Sequence, residues 1–293
     1  MESKALRHFV QVVEQGSVTQ AAKVLHIAQP ALSISIQKLE KSLGVNLFRR
    51  HDKTLSLTQE GQVLLPHAKR VCQQLQDAKW AIDEMKGLKK GEVRLGAPSM
   101  MGSYFLPPLI MAFKQRYPDL KISLLDAGTQ SIRQMLLDGE LDLGVIIDEE
   151  VSDKLVTDRL FSSPMVAVTS SNHPLAKQKS VSFDDFFSYP HVMFKPGYFH
   201  RDYLDRIAKR YQYHAHLEFE TNLLAVILTL VKAEQAITAL LKLVTDNEPD
   251  LAAIPFEHAV PVDLALAWRT DGYLSLADRA FIDFVKEWVD KYQ

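Results

Sequence analysis

Residues 17–44 constrain the fold of this chain more than any other stretch. They read Ser17-Val-Thr-Gln-Ala-Ala-Lys-Val-Leu-His-Ile-Ala-Gln-Pro-Ala-Leu-Ser-Ile-Ser-Ile-Gln-Lys-Leu-Glu-Lys-Ser-Leu-Gly44. Ser17 with Gln20 three residues on forms a capping box, and Ala21, Ala22, Val24 and Leu25 share one side of the turns that follow. His26-Ile27-Ala28 is long enough only to turn. Pro30 suits a helix's first turn, where its missing N–H costs nothing. Leu32, Ile36, Leu39 and Leu43 then recur at helical spacing and are predicted to face a core, and Gly44 stops the helix. Two short helices joined tightly, the second with small and polar residues outward, make a helix-turn-helix, the arrangement that lays a helix in a DNA major groove. Two core helices of an all-α domain would share this periodicity.

Charge separates along the chain. Its formal net charge is −2, which alone would argue against a nucleic-acid binder. Yet residues 1–91 hold 14 Lys+Arg and 8 Asp+Glu, while the remainder is acidic. Such asymmetry fits a nucleic-acid-binding segment joined to an acidic domain, and 293 residues leave room for two or more domains.

Ala21-Ala22, Leu25, Gln29-Pro30-Ala31-Leu32-Ser33, Ile36, Leu39-Glu40, Leu43-Gly44, Leu47-Phe48-Arg49-Arg50, Leu57-Thr58 and Gly61 stand in one ungapped register. Together they resemble the N-terminal signature of LysR-type transcriptional regulators. The resemblance implies a winged helix-turn-helix over residues 1–58, with Leu47–Leu57 as the wing. It implies base contacts from Gln29, Pro30, Ser33, Ile34 and Gln37, and phosphate contacts from Arg49, Arg50 and Lys53. Two departures stand out. Ala28 replaces the serine that usually caps the second helix. Ile34 stands where a polar or basic residue is usual, so it contacts a thymine methyl or is half-buried.

Thr58 is placed to cap a helix running through Met85. Leu64, Ala68, Val71, Leu75, Ala78, Ile82 and Met85 alternate at spacings of four and three, a heptad seam. A narrow stripe on a long helix needs a partner. The simplest is the same helix of a second chain, the alternative its own domain. Pro66 falls early in this helix. The segment matches the family's dimerising linker helix, and 59–91 is assigned to it, with Gly87–Gly91 as a hinge.

From Glu92 the period changes. Apolar alternation at Val93, Leu95 and Ala97, runs at 120–125 and 141–147, and intervening helical patterns imply strands alternating with helices in a parallel α/β sheet. The rhythm returns between Pro164 and Trp268, and Ser275 with Asp278 caps a final helix carrying Phe281, Phe284, Val285, Trp288 and Tyr292. Gly91-Glu-Val-Arg-Leu-Gly96, Leu106-Pro107, Tyr117-Pro118, Leu137-Asp-Gly-Glu-Leu-Asp-Leu143 and His173-Pro-Leu-Ala176 resemble the effector domain of the same family. That domain is similar to periplasmic solute-binding proteins, with two lobes joined by two crossing strands. The domain is expected over 92–293, with lobe I at about 92–162 and 268–293 and lobe II at about 163–267. Glu234, Gln235 and Ala236 replace the family's glycine-rich turn.

Ligands of parallel sheets bind beyond the carboxyl ends of the strands. Ser99, Met100 and Met101 follow the first strand, Thr129 the second, and Lys195 and Thr221 sit at strand ends of the other lobe. These are the candidate effector contacts. Ser99 and Thr129 would hold an anion at a helix start and the methionines an apolar body, although each hydroxyl would serve equally as a simple helix cap.

Other classes find little support. There is no G-x-S-x-G, Walker loop, G-x-G-x-x-G or H-E-x-x-H pattern. Cys72 is the only cysteine, the ten histidines do not cluster at ligand spacing, and no cofactor or metal is expected. No secretory h-region opens the chain, and no apolar run approaches the ~18 residues that span a bilayer, so a cytoplasmic location is expected. The reading is a regulator of double-stranded DNA, not an enzyme, that recognises an interrupted palindrome, responds to a small organic anion and assembles as a dimer and tetramer. RNA polymerase is the partner the resemblance implies. A small-molecule-binding protein whose N-terminal helices serve only association is the alternative, and a periplasmic-type dehydratase a third possibility.

Overall fold

The computed structural model describes residues 2–51, 54–85 and 91–292. The chain divides into two compact units, one built from the elements up to the end of the linker helix, the other from residue 92 onward.

The first unit comprises α1 (Ser3–Gln15), α2 (Val18–Val24), α3 (Gln29–Leu43), β1 (Phe48–His51), β2 (Thr54–Leu57) and α4 (Gln59–Met85). The sequence reading did not locate α1, although its Leu6, Phe9 and Val12 are the centre of this unit's core with Ala21, Ala22, Leu32, Ile36, Leu39, Leu47 and Ala68. The caps are as predicted for α2, where Ser17 accepts from the Gln20 N–H at 3.4 Å. Nothing replaces the missing cap of α3, because Ala28 makes no side-chain bond there. Gly44 closes α3 in the left-handed conformation at φ 72°. Val24 and Leu43, predicted to face the core, are 50% and 38% exposed. Each is the last residue of its helix, beyond the reach of the packing partner.

The wing forms as an antiparallel pair with Phe48 opposite Leu57. Glu40 holds it to α3 by accepting from the Leu47 N–H at 2.8 Å. Thr58 caps α4: its hydroxyl accepts from the Gly61 N–H at 3.0 Å and donates to the Asn46 carbonyl. The wing tip, including Lys53, and the hinge residues 87–90 lie outside the described residues.

The second unit has two lobes. In lobe I, β3 (Glu92–Ala97) runs parallel to β4 (Lys121–Asp126) and β5 (Leu143–Ile147), and β12 (Asp263–Arg269) and β6 (Leu155–Ser162) extend the sheet in the order β4-β3-β5-β12-β6. A π-helical turn (Met101–Phe105), α5 (Leu106–Arg116) and α6 (Thr129–Asp138) connect these strands. The all-parallel expectation is corrected by β12, which is antiparallel to both β5 and β6. The same pairing moves β12 from lobe II into lobe I, so the return crossing lies near residue 262 rather than 267. A hydrophobic run reveals a buried strand but not the sheet it joins.

In lobe II, β7 (Met165–Ser170) is flanked by β10 (Thr238–Leu241) and β11 (Leu251–Val260). A parallel pair, β8 (Pro190–Met193) and β9 (His216–Glu220), is tied to this sheet through a bridge from His191 to Ile237. The helices of this lobe are α7 (Phe183–Phe187), α8 (Phe199–Tyr211), α9 (Leu224–Lys232) and the short α10 (Lys242–Thr245). The last helix, α11 (Leu276–Tyr292), returns to lobe I, where Phe281 and Phe284 meet Phe113 edge-on at 5.0 and 5.4 Å. The lobes are therefore joined by the turn between β6 and β7 and that between β11 and β12.

Candidate nucleic-acid interface and effector cleft

On α3 the buried positions Leu32, Ile36 and Leu39 leave the opposite face free. Gln29, Pro30 and Gln37 are exposed and Ser33 is half-buried. The Gln29 amide donates to the Ser33 hydroxyl at 3.0 Å, so these two donors are held side by side one turn apart. Ile34 is 52% exposed, which removes the half-buried alternative. Behind this face, His8 Nδ1 and Ser35 Oγ stand 2.8 Å apart and fix α1 to α3. Burial, with Lys4 and Arg7 nearby, lowers the His8 pKa. Arg49 is exposed at the base of the wing and lines a groove with Gln37, Lys41, Asn46 and Thr58. Lys41 is a basic residue that the sequence reading passed over; it sits three and a half turns into α3 and in the same groove.

The predicted dimer seam splits in two. Ala68 is fully buried and Leu64 half-buried against the unit's own core, so these two are corrected from seam to core. Val71, Leu75 and Ile82 are 38%, 45% and 53% exposed, and Ala78 is exposed too. A heptad stripe has the same period whether its partner is α1 of the same chain or another α4, and only the tertiary structure divides the two.

The interlobe cleft is nearly closed. A cavity of about 20 Å³ remains, lined among others by Met100, Met101, Thr129, Tyr198, Phe199 and His200. That is room for a water rather than a metabolite. Thr129 opens α6, and it and both methionines line this space. Two predicted contacts fall elsewhere. Lys195 is exposed, with its backbone N–H on Asn222, and the Thr221 hydroxyl accepts from the Leu223 N–H at 3.1 Å. Neither lines the cavity; both serve the turns that follow β8 and β9.

Ser99 is buried, but its hydroxyl donates at 2.6 Å to Asp126, a carboxylate the sequence reading did not single out. An anion held by Ser99 is therefore corrected: the donor is already engaged, and by a negative group. The other Asp126 oxygen accepts from the Tyr198 hydroxyl of lobe II at 3.5 Å. Burial foremost, and Asp126 next, raise the Tyr198 pKa. Further bonds cross between the lobes. Gln130 donates to Asp202 at 2.9 Å, and Tyr104 in the π-turn donates to Glu248 at 2.6 Å, where Lys232 also binds. Gly128 is needed for this closure, because a Cβ there would stand 2.4 Å from the Gly197 carbonyl oxygen.

Three further groups complete the unit. Arg133, one turn beyond Thr129 on α6, donates to the carbonyls of Ile147 and Glu149 at the end of β5, and its buried Nε has no partner. Glu234, in the turn before β10, adopts a left-handed φ of 57° and accepts from the Ser170 hydroxyl at 3.0 Å. His200 is 4% exposed and its Nε2 has no hydrogen-bond partner. Burial drives its pKa down to about 3.

A helix-turn-helix with a wing, followed by a two-lobed α/β domain whose lobes meet at a cleft, is the architecture of a ligand-responsive DNA-binding regulator. The chain belongs to the LysR family of transcription regulators: residues 3–62 match the bacterial regulatory helix-turn-helix protein model of the lysR family, and residues 86–290 match the LysR substrate binding domain. It is a regulator and not an enzyme. An uncharacterized HTH-type transcriptional regulator of Escherichia coli, YbhD, is 29% identical over 293 residues, covering 99% of this chain and 92% of its own. Full-length CbnR, solved in complex with its target DNA, superposes with a TM-score of 0.69 at 22% identity, over 98% of this chain and 99% of that one. The effector-binding domain of QuiR in complex with shikimate has a TM-score of 0.60 at 23% identity, over 69% of this chain and 99% of that one. At these identities the two structures establish the fold. Among the described residues, no helix is long and apolar enough to cross a membrane.

Proposed function

We propose that this regulator reads an interrupted palindrome as a homodimer and that an organic acid bound between the lobes alters its hold on DNA. The observation that carries the DNA reading is the outer face of α3. Gln29, Ser33, Ile34 and Gln37 stand over a complete core, with Gln29 bonded to Ser33 one turn on and Ile34 half exposed. Gln29, Pro30, Ser33, Ile34 and Gln37 then meet base edges, while Arg49, Arg50 and Lys53 meet phosphates. CbnR, of the same fold, was solved with its target DNA, which supports DNA as the partner.

The exposed Val71, Leu75, Ala78 and Ile82 are the dimer contact, and two-fold pairing of the reading heads dictates the palindrome. A tetramer would use two exposed sheet edges, β4 with Leu124 and Leu125 and β9 with Leu217 and Phe219. The regulator works in the cytoplasm on chromosomal DNA and passes its signal to RNA polymerase, as in its family.

The effector enters by parting Gly128 from Gly197. Its carboxylate lies against Thr129 at the positive start of α6, with Arg133 one turn behind, and its body against Met100 and Met101. Ser99 keeps its bond to Asp126. QuiR's shikimate, an organic acid in the matching domain, supports this class of ligand. Gel-shift titration on palindromic and random duplexes over a range of salt tests the DNA reading. Equal affinity for both duplexes at every salt concentration would refute it.

A further inference from the structure

The outer face of α3 does not end at Gln37. Buried Leu32, Ile36 and Leu39 mark the side of this helix that meets the core. Lys41 comes seven residues after Ile34 and four after Gln37. At 3.6 residues per turn it lies within about 20° of Ile34, directly away from the core. Lys41 is exposed, and so is Arg49 on β1. The two line one groove between the end of α3 and the wing. Glu40 is the one acid among the described lining residues, and it is engaged: its carboxylate accepts from the N–H groups of Leu47 and Phe48 at 2.8 and 3.4 Å. Neither Lys41 nor Arg49 forms an ion pair with an acid among the described residues. One groove thus presents two cations, one from the helix and one from the wing, without an anion of the protein's own between them.

A lysine in the last turn of a helix complements the negative end of the helix dipole, and that role needs no partner outside the chain. It does not account for Arg49, which belongs to a strand and brings a second positive charge to the same groove. Two like charges there repel, and an anion placed between them turns the repulsion into attraction. The partner of this unit is DNA, whose backbone supplies such anions at regular spacing. We infer that the groove between the end of α3 and the wing receives a DNA backbone phosphate, held by Lys41 from the helix and Arg49 from the wing. This rests on the outer face of α3 meeting DNA. It extends that face by one turn, from positions that read base edges to one that grips the backbone, and it makes Lys41 a positioning residue for the reading head.

The test is binding of the full chain to a short random-sequence duplex, followed by fluorescence anisotropy over a range of salt. Lys41→Ala should weaken binding about tenfold at 0.1 M salt and reduce the salt slope by about one. Lys41→Arg should keep both the affinity and the slope of the parent. Lys177→Ala, which removes the same charge from an exposed site of the effector unit, should alter neither. Melting of each variant without DNA shows that it is folded. If Lys41→Ala keeps the parent's slope, or if Lys177→Ala lowers the slope as much, the inference is overturned. A lowered Tm with an unchanged slope in Lys41→Ala leaves the lysine as a partner of the helix dipole alone. Arg49→Ala separates this inference from the reading beneath it. A slope reduced by Arg49→Ala but not by Lys41→Ala removes only the groove, and an unchanged slope in both variants refutes the phosphate contacts of the wing as well.

Discussion

The two units of this chain carry their functional groups in opposite ways. In the N-terminal unit the core is complete without them: Leu32, Ile36 and Leu39 face in, and Gln29, Ile34 and Gln37 face solvent. In the effector unit, Ser99, Thr129 and His200 are themselves buried, and their neighbours bond across 27 to 72 residues of sequence, from Ser99 to Asp126 and from Asp126 to Tyr198. A reading head must meet its partner as a rigid convex surface. A responsive cleft must be held by contacts that a ligand can exchange. Substitutions should therefore separate cleanly into those that leave folding intact and those that do not.

The sharpest test lies within α4, where inside gives way to outside between Ala68 and Val71. Ala68→Asp buries an unpaired charge in the core and should cost about 3–5 kcal/mol, abolishing the melting transition of the N-terminal unit. Val71→Asp should leave that transition in place and instead yield smaller species by light scattering, with loss of operator binding. If both variants unfold, the seam belongs to the chain's own core along its whole length.

The effector unit should be more sensitive to pH. Asp278, 2% exposed, caps α11 by accepting from the Ser275 N–H and hydroxyl, while its other oxygen has no partner. Burial, with the Asp142 charge next and Arg94 opposing, raises its pKa from 3.8 to about 7. The folded form holds this proton more tightly than the unfolded chain. Stability is therefore fully present below pH 4 and is lost as pH rises through about 7. The shift is worth on the order of 4 kcal/mol. Asp278→Asn should raise the Tm at pH 8, leave it nearly unchanged at pH 4, and flatten the profile between. Parallel profiles for the variant and the parent would rule out this group as the source.

Smaller effects distinguish the two kinds of contact. Thr129→Val should weaken effector binding by about 1.5–3 kcal/mol, the value of a hydrogen bond to a charged group, with DNA affinity in the absence of effector unaltered. Calorimetry paired with gel shifts reads both quantities. Gln29→Ala should cost about 1–3 kcal/mol on the operator and little on random duplex. Arg49→Ala should weaken both duplexes alike and reduce the salt slope by about one. Uniform loss for Gln29→Ala would mean that it positions the helix rather than reads bases.

Much of the first unit was legible in the sequence because local chemistry decides it. Ser17, Pro30 and Gly44 mark helix ends by hydrogen-bonding capacity and backbone preference alone, and residues recurring at three and four show which side of a helix meets a core. The misses there, Val24 and Leu43, sit at helix ends where periodicity continues but the packing partner does not. In the second unit the alternation of strands and helices was legible, and so were the Ser275–Asp278 cap and the placing of Met100, Met101 and Thr129 at the strand ends that face the other lobe. The strands β6 and β11, which precede the two crossings between the lobes, were not, since their burial follows no simple alternation.

What the sequence determined by itself is therefore most of the elements, the helix-turn-helix and the family, since each rests on neighbouring residues and their spacing. The tertiary structure alone decided that β12 joins lobe I, that the α4 stripe divides between core and surface, and that Asp126 occupies the hydroxyl expected to hold an anion. Each of these is a choice of partner across a distance in sequence. A periodic pattern states that a face must be buried, and a hydroxyl that it must bond, but neither names the group that does it.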